Sequence, residues 1–389
     1  MSPKPKLSFP AMCCEEPFRL FFPLGVLVGI AGVSLWPLFF SGLHQFYPGI
    51  MHARLMIEGF LGAFVIGFLG TAGPRLTGTP HLSHGELGSL VLLYAGAVGA
   101  HIAHRHFAAD LLFLTLILTF AARMLGRFAR REVLPPPSFV LVGMGFANVI
   151  VGTVLLLIAP WGDGSPRCQM LGSLLLYQAF VLHLVLGIGG FLLPRLLRLA
   201  PAAELADSRT PTPAWTFRAL FAAAIGAALL VSFIVEVFTL SPRTAAIIRF
   251  TAIAVFLASD IPLHRTMAPR LTITRCLRLA LVFLALGVLA AAFWPAQRVA
   301  AEHLVFIGGF TLRTFTVAIR VVFGHSGNSH LFTDRLPFLI GTAALLVFGA
   351  SFRLAGDFLP AWRGTPGLHR RLHPAHLHGG NPRGVRSQR

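Results

Sequence analysis

The chain is predicted to fold as an all-α bundle of about eleven transmembrane helices. Two observations carry that expectation. Of 389 residues 55% are hydrophobic and only 12% charged, with a mean hydropathy of +0.75, whereas a soluble domain carries about 25% charged residues. Apolar stretches long enough to cross a hydrocarbon core about 30 Å thick also recur along most of the sequence. They fall near 18–40, 52–73, 87–104, 109–126, 137–160, 170–194, 215–239, 244–263, 275–295, 303–323 and 335–353. Backbone polar groups in lipid must be bonded within the segment, so each stretch is expected to be a helix.

The order of these segments fixes the rest of the organisation. Residues 1–17 form an arm before the first helix, 18–353 the bundle, and 354–389 a basic tail expected to be disordered. That tail holds His369, His373, His376 and His378 beside Pro and Gly, a composition that binds metal weakly. The third and fourth segments are only just long enough to span. The first is too long, and lacks the small-residue cleavage pattern, for a removed signal peptide. Connections are short, apart from the Pro- and Arg-rich stretches at 130–137 and 199–214. No internal repeat is evident, which gives no support to an inverted-repeat transporter. Gly25 and Gly29 show the small-xxx-small spacing that lets helices pack closely.

The net charge of +18 does not point to nucleic acid, because its placement follows the helix ends. With the N-terminus inside, Arg19, Arg75, Arg123, Arg127, Arg130, Arg131 and most later arginines gather on one side. The other side has only Arg105, Arg167, Arg243 and Arg298. This asymmetry orients the bundle with its N-terminus in the cytoplasm. Four scattered cysteines are too few for a disulfide framework.

Function is expected where polar residues lie at membrane depth, since charges there are costly and usually mark a site. The second segment opens with His52, Arg54, Met56 and Glu58. His52 and Met56 are four apart and share a face, as do Arg54 and Glu58, so the split expected is a ligand-type face and an ion pair. Imidazole and thioether suit haem iron or copper; an interface histidine beside a packed methionine is the plainer alternative. His303 starts the tenth segment at the same depth as His52, and His183 lies past mid-membrane in the sixth. His303 and His325 are separated by roughly 33 Å of helix and cannot share a metal. His101 and His104 could chelate a metal, or simply be solvated at the outer end of the third segment. Arg313 falls near mid-membrane with Arg320 two turns further in, and Arg313 needs Glu58, Glu236 or a haem propionate as its partner. Asp260 and His264 form another polar pair near an inner helix end.

At the second and tenth segments the sequence resembles the NnrS family, polytopic haem- and copper-containing membrane proteins linked to the response to nitric oxide. The family's His-Ala-His-Glu-Met-x-x-Gly-Phe corresponds to His52-Ala53-Arg54-Leu55-Met56-Ile57-Glu58-Gly59-Phe60, and its continuation to Gly67-Phe68-Leu69 through Thr77-Gly78. His303, Arg320 and Gly324-His325-Ser326-Gly327 keep the spacing of a second family motif. Pro17-Phe18-Arg19 and Ile188-Gly189-Gly190 with Pro194 are also similar. The likeness runs from about 17 to 353. It implies haem held by His52 and His303, with His183 as the next candidate ligand, in a bacterial inner-membrane protein of nitric oxide metabolism or nitrosative-stress defence. The chain departs from the family at Arg54, where the second histidine would stand, and at Leu55, in place of its Glu; the copper motif is thereby broken. Glu58 and Arg313 replace apolar residues, and the usual twelfth helix has no counterpart among the segments. Two other readings stay open: a proton- or solute-coupled transporter using Glu58, Glu236 and Asp260, and a haem-copper reductase, for which only one deep histidine is available.

Overall fold

The computed structural model describes residues 8–161, 166–197, 209–239, 241–261, 272–328, 331 and 336–358. A short helix α1 (Phe9–Glu15) precedes eleven long apolar helices, and no strand occurs among the described residues. The eleven are α2 (Phe18–Phe40), α3 (Gly49–Thr77), α4 (His84–Ile102), α5 (His106–Ala129), α6 (Phe139–Ile158), α7 (Pro166–Leu196), α8 (Pro213–Phe238), α9 (Pro242–Asp260), α10 (Thr272–Phe293), α11 (Pro295–His325) and α12 (Pro337–Phe358). Each matches one expected segment in order, so the protein is a polytopic all-α membrane bundle. The third and fourth spans, marginal by hydropathy, run 19 and 24 residues. The last helix continues to Phe358, past the expected boundary at 353; the tail histidines and His264 lie outside the described residues.

Three spans form the interior. The most apolar windows of α3, α7 and α11 are 78%, 67% and 50% buried, against 28% for α4 and 17% for α12. Those same three helices share a backbone feature that hydropathy cannot reveal. Each contains a π-helical stretch, Leu55–Leu61 in α3, Leu175–Ala179 in α7 and Leu304–Thr311 in α11. They recur every four spans. A π-turn widens the helix by one residue and is frequent at functional sites.

Small residues set the packing of α2 on α3. A Cβ at Gly25 would meet the Ala63 Cβ at 3.0 Å and the Phe60 carbonyl oxygen at 3.1 Å, and one at Gly32 would meet the Met56 sulfur at 3.1 Å. Any larger side chain on this stripe would push the helices apart, which is how small residues drive association in lipid.

We call the end of the bundle where α2 begins the near end, and the opposite one the far end. At the near end Glu16 accepts hydrogen bonds from Arg19 (2.6 Å) and Arg75 (2.8 Å). Burial pushes the Glu16 carboxyl up, but the two guanidiniums outweigh it and hold the group below the usual carboxylate range. Ser83 and Glu86 cap α4 with a reciprocal capping box, and Arg127 grips the same Glu86 at 2.9 Å. All four cysteines are free thiols.

Candidate functional site

Most of the buried charged residues lie in the far half of the bundle. The first group joins α3, α4 and α5. Arg54, the last residue before the α3 π-stretch, sends Nη2 to Asp110 Oδ2 at 2.7 Å. Its Nη1 lies 3.0 Å from Glu58 Oε1, although neither atom is aligned for a hydrogen bond. The expected Arg54–Glu58 pairing is therefore an ion pair by distance, while Asp110 takes the directed bond. His101, at the end of α4, places Nε2 3.0 Å from Glu58 Oε2 and 3.8 Å from Asp110 Oδ1. All four side chains are nearly inaccessible. The Arg54 guanidinium also lies 5.5 Å from the centre of the Tyr177 ring on the π-stretch of α7.

The structure gives His101 and His104 different partners. His101 is 1% exposed and turns inward to Glu58, with Nδ1 3.2 Å from His106 Nδ1. His104 sits in the turn between α4 and α5 at φ 57°, stacked on His44 with ring centres 5.8 Å apart.

A second group ties α8, α9 and α11 together with α7. Glu236 accepts from Arg249 Nη2 at 2.7 Å and pairs with Arg298 Nη1 at 2.5 Å. Arg298 also reaches Glu302, which accepts a 2.8 Å bond from Gln178. Arg249 packs over the Phe233 ring at 3.8 Å. Glu236 thus has two cations of its own.

His52 and His303 share a local arrangement. Nδ1 of His52 is 2.9 Å from the Gly32 carbonyl oxygen of α2, and Nδ1 of His303 is 2.6 Å from the Val299 carbonyl oxygen. A carbonyl at Nδ1 holds the proton there and leaves the Nε2 lone pair available, the state in which histidine ligates a metal. An imidazole in this state is a donor that suits haem iron. Met56 packs against Gly32 instead. His183 differs from both: Nδ1 faces the Ala179 carbonyl at 2.7 Å and Asn148 at 3.3 Å, and Nε2 faces the Gly226 carbonyl at 3.1 Å. Both of its nitrogens are engaged by protein.

Nearer mid-bundle lies an apolar pocket of about 80 Å³, walled by Phe64 and Phe68 of α3, Leu184 and Ile188 of α7, and Val317 of α11. Arg313 is the one charged residue in its wall. The expectation that Arg313 meets Glu58 or Glu236 is overturned. Both carboxylates are taken by other arginines, and Arg313 makes no ion pair or hydrogen bond among the described residues; its Nη1 is buried without a partner. Its guanidinium instead fills the space above Gly189, where a Cβ would collide with Nη2. Arg320 lies two turns along the same helix, close to Gly324. His325 bonds the Val321 carbonyl at the near end, and Asp260 ends α9 half-buried.

Asp110, Arg249, Arg298 and Glu302 join these clusters without having been singled out from sequence. The signal for Asp110 and Arg249 was there: each is an ionisable residue inside an apolar run, the criterion that flagged Glu58.

No curated protein and no solved structure matches the chain. A family model described as NnrS protein matches residues 13–370, which takes in all eleven spans and both polar clusters. The chain belongs to the NnrS family.

Proposed function

We propose that the protein is a haem-binding inner-membrane protein of nitric oxide metabolism or defence, with His52 and His303 as the haem ligands. The observation that carries this reading is their shared geometry: each presents a free Nε2 because a backbone carbonyl engages Nδ1. A bound haem would supply an iron that takes nitric oxide as a ligand. The protein's part is to fix the two imidazoles on α3 and α11, beside the π-stretches of both helices. Apolar side chains line the pocket on the mid-bundle side of them, and Arg313 in its wall offers a cation toward which a propionate could turn. Copper has less support, since Arg54 stands in the family's second histidine position and is bound to two carboxylates.

Absorption spectra of the purified protein test the haem assignment. A Soret band that is lost or strongly shifted in both His52→Ala and His303→Ala, and unchanged in His183→Gln, is the expected result. A band insensitive to both alanine changes would remove these histidines from the site.

The transporter reading has less support because Glu58 and Glu236 are each held by arginine, which opposes their loading and release of protons. The arginine distribution favours a cytoplasmic near end. Reporter fusions after Arg131 and after Arg105 should accordingly report opposite sides, cytoplasmic for Arg131; the reverse assignment would invert the bundle.

A further inference from the structure

We propose that Glu58, His101 and Asp110 form a binding site for a first-row divalent cation of the Zn²⁺ type, separate from the His52 and His303 ligands. The three side chains come from three successive spans, α3, α4 and α5. One ligand atom from each lies within 4.8 Å of the other two. The His101 Nε2 to Glu58 Oε2 distance is 3.0 Å, and that to Asp110 Oδ1 is 3.8 Å. Ligands bound at 2.0–2.2 Å around a tetrahedral ion lie about 3.3–3.6 Å apart, so side-chain adjustments of about an ångström or less would seat the ion. One imidazole and two carboxylates suit Zn²⁺, and three protein ligands leave a fourth position open.

Arg54 does not occupy this site. It takes Glu58 Oε1 and Asp110 Oδ2, the oxygens that the ion does not need, and so orients both carboxylates as an outer-sphere group does. Asp110 Oδ1 is buried with no hydrogen-bond partner, an orphaned acceptor that faces His101. Two carboxylates and one guanidinium leave the group with one net negative charge, and a dication carrying hydroxide at its open fourth position would bring it to neutrality.

The other nitrogen of His101 supports the same conclusion. Its Nδ1 is 3.2 Å from His106 Nδ1, and with His101 donating its Nδ1 proton to His106 its Nε2 is left as the ligating lone pair. A route to the site is also present. His106 neighbours the exposed His104, which stacks on His44, so imidazoles lead from the far-end surface to the carboxylates. The ion would staple α3, α4 and α5 together.

The test uses the full-length protein in detergent, equilibrated with Zn²⁺ alone, desalted, and assayed for bound metal. Wild type is compared with Asp110→Asn and His101→Gln. The tail histidines are present in all three, so only the difference between them reads this site. The expected result is one equivalent of Zn²⁺ fewer in each variant, together with a Zn²⁺-dependent rise in Tm that only wild type shows. Should Asp110→Asn fail to fold, His101→Gln carries the comparison, since its amide can still donate to Glu58. Equal zinc content and an equal Tm response in wild type and His101→Gln would overturn the proposal. The Soret band is read on the same samples, so loss of zinc and loss of haem are scored separately.

Discussion

Replacing Arg54 with methionine is expected to destabilise the bundle by about 3–5 kcal/mol, the usual cost of removing one side of a buried ion pair. The change leaves Glu58 and Asp110 facing each other, both buried, with His101 as their remaining polar neighbour. Removing the charges together should cost much less than the sum. A triple change, Arg54→Met with Glu58→Gln and Asp110→Asn, is therefore expected to recover most of the lost stability. The geometry also ranks the partners. Asp110 accepts a directed 2.7 Å bond, whereas Glu58 sits at 3.0 Å without alignment, so coupling to Arg54 should be larger for Asp110→Asn than for Glu58→Gln. Thermal unfolding in one detergent, read as double-mutant cycles, measures both couplings. Additive losses across the three sites would show that the charges are not held as one network.

Much of the fold could be read in the sequence, because the signal for a membrane helix is local. A run of about 20 apolar residues declares itself regardless of its neighbours, and all eleven runs appear as helices in the expected order. The polar partnerships needed three-dimensional information. Glu58 and Arg54 are four residues apart, so their contact follows from helix geometry. Asp110 is 56 residues from Arg54, and nothing in the sequence brings the start of α5 against the start of α3. His101 shows the same limit. Its position near a helix end suggested solvent, but the turn at His104 folds α5 back on α4 and encloses it. The π-stretches left no mark in hydropathy, since one inserted residue changes hydrogen bonding but not composition. Arg313 is the reverse case. Its depth was legible and its partner was not, because the carboxylates at comparable depth were claimed by arginines on other helices.

For Arg313 the expected sign is opposite to that for Arg54. A guanidinium at mid-membrane costs about 2.5–3.5 kcal/mol on insertion scales, and no described residue offers it an anion. Arg313→Met should therefore raise the Tm of haem-free protein, by an amount corresponding to at most about 3 kcal/mol. The methionine thioether can fill part of the space that the guanidinium occupies against Gly189. A native function for the charge follows from the same argument. A fixed cation in an apolar cavity is worth its cost only when an anionic group enters, so the benefit of the substitution should shrink or reverse once an acidic amphiphile such as haem is bound. Thermal unfolding of wild type and Arg313→Met, each with and without added haem, gives the four values required. A fall in Tm for the haem-free variant, similar in size to that of Arg54→Met, would mean that Arg313 already has a counter-charge and that the cavity is not built for an incoming one.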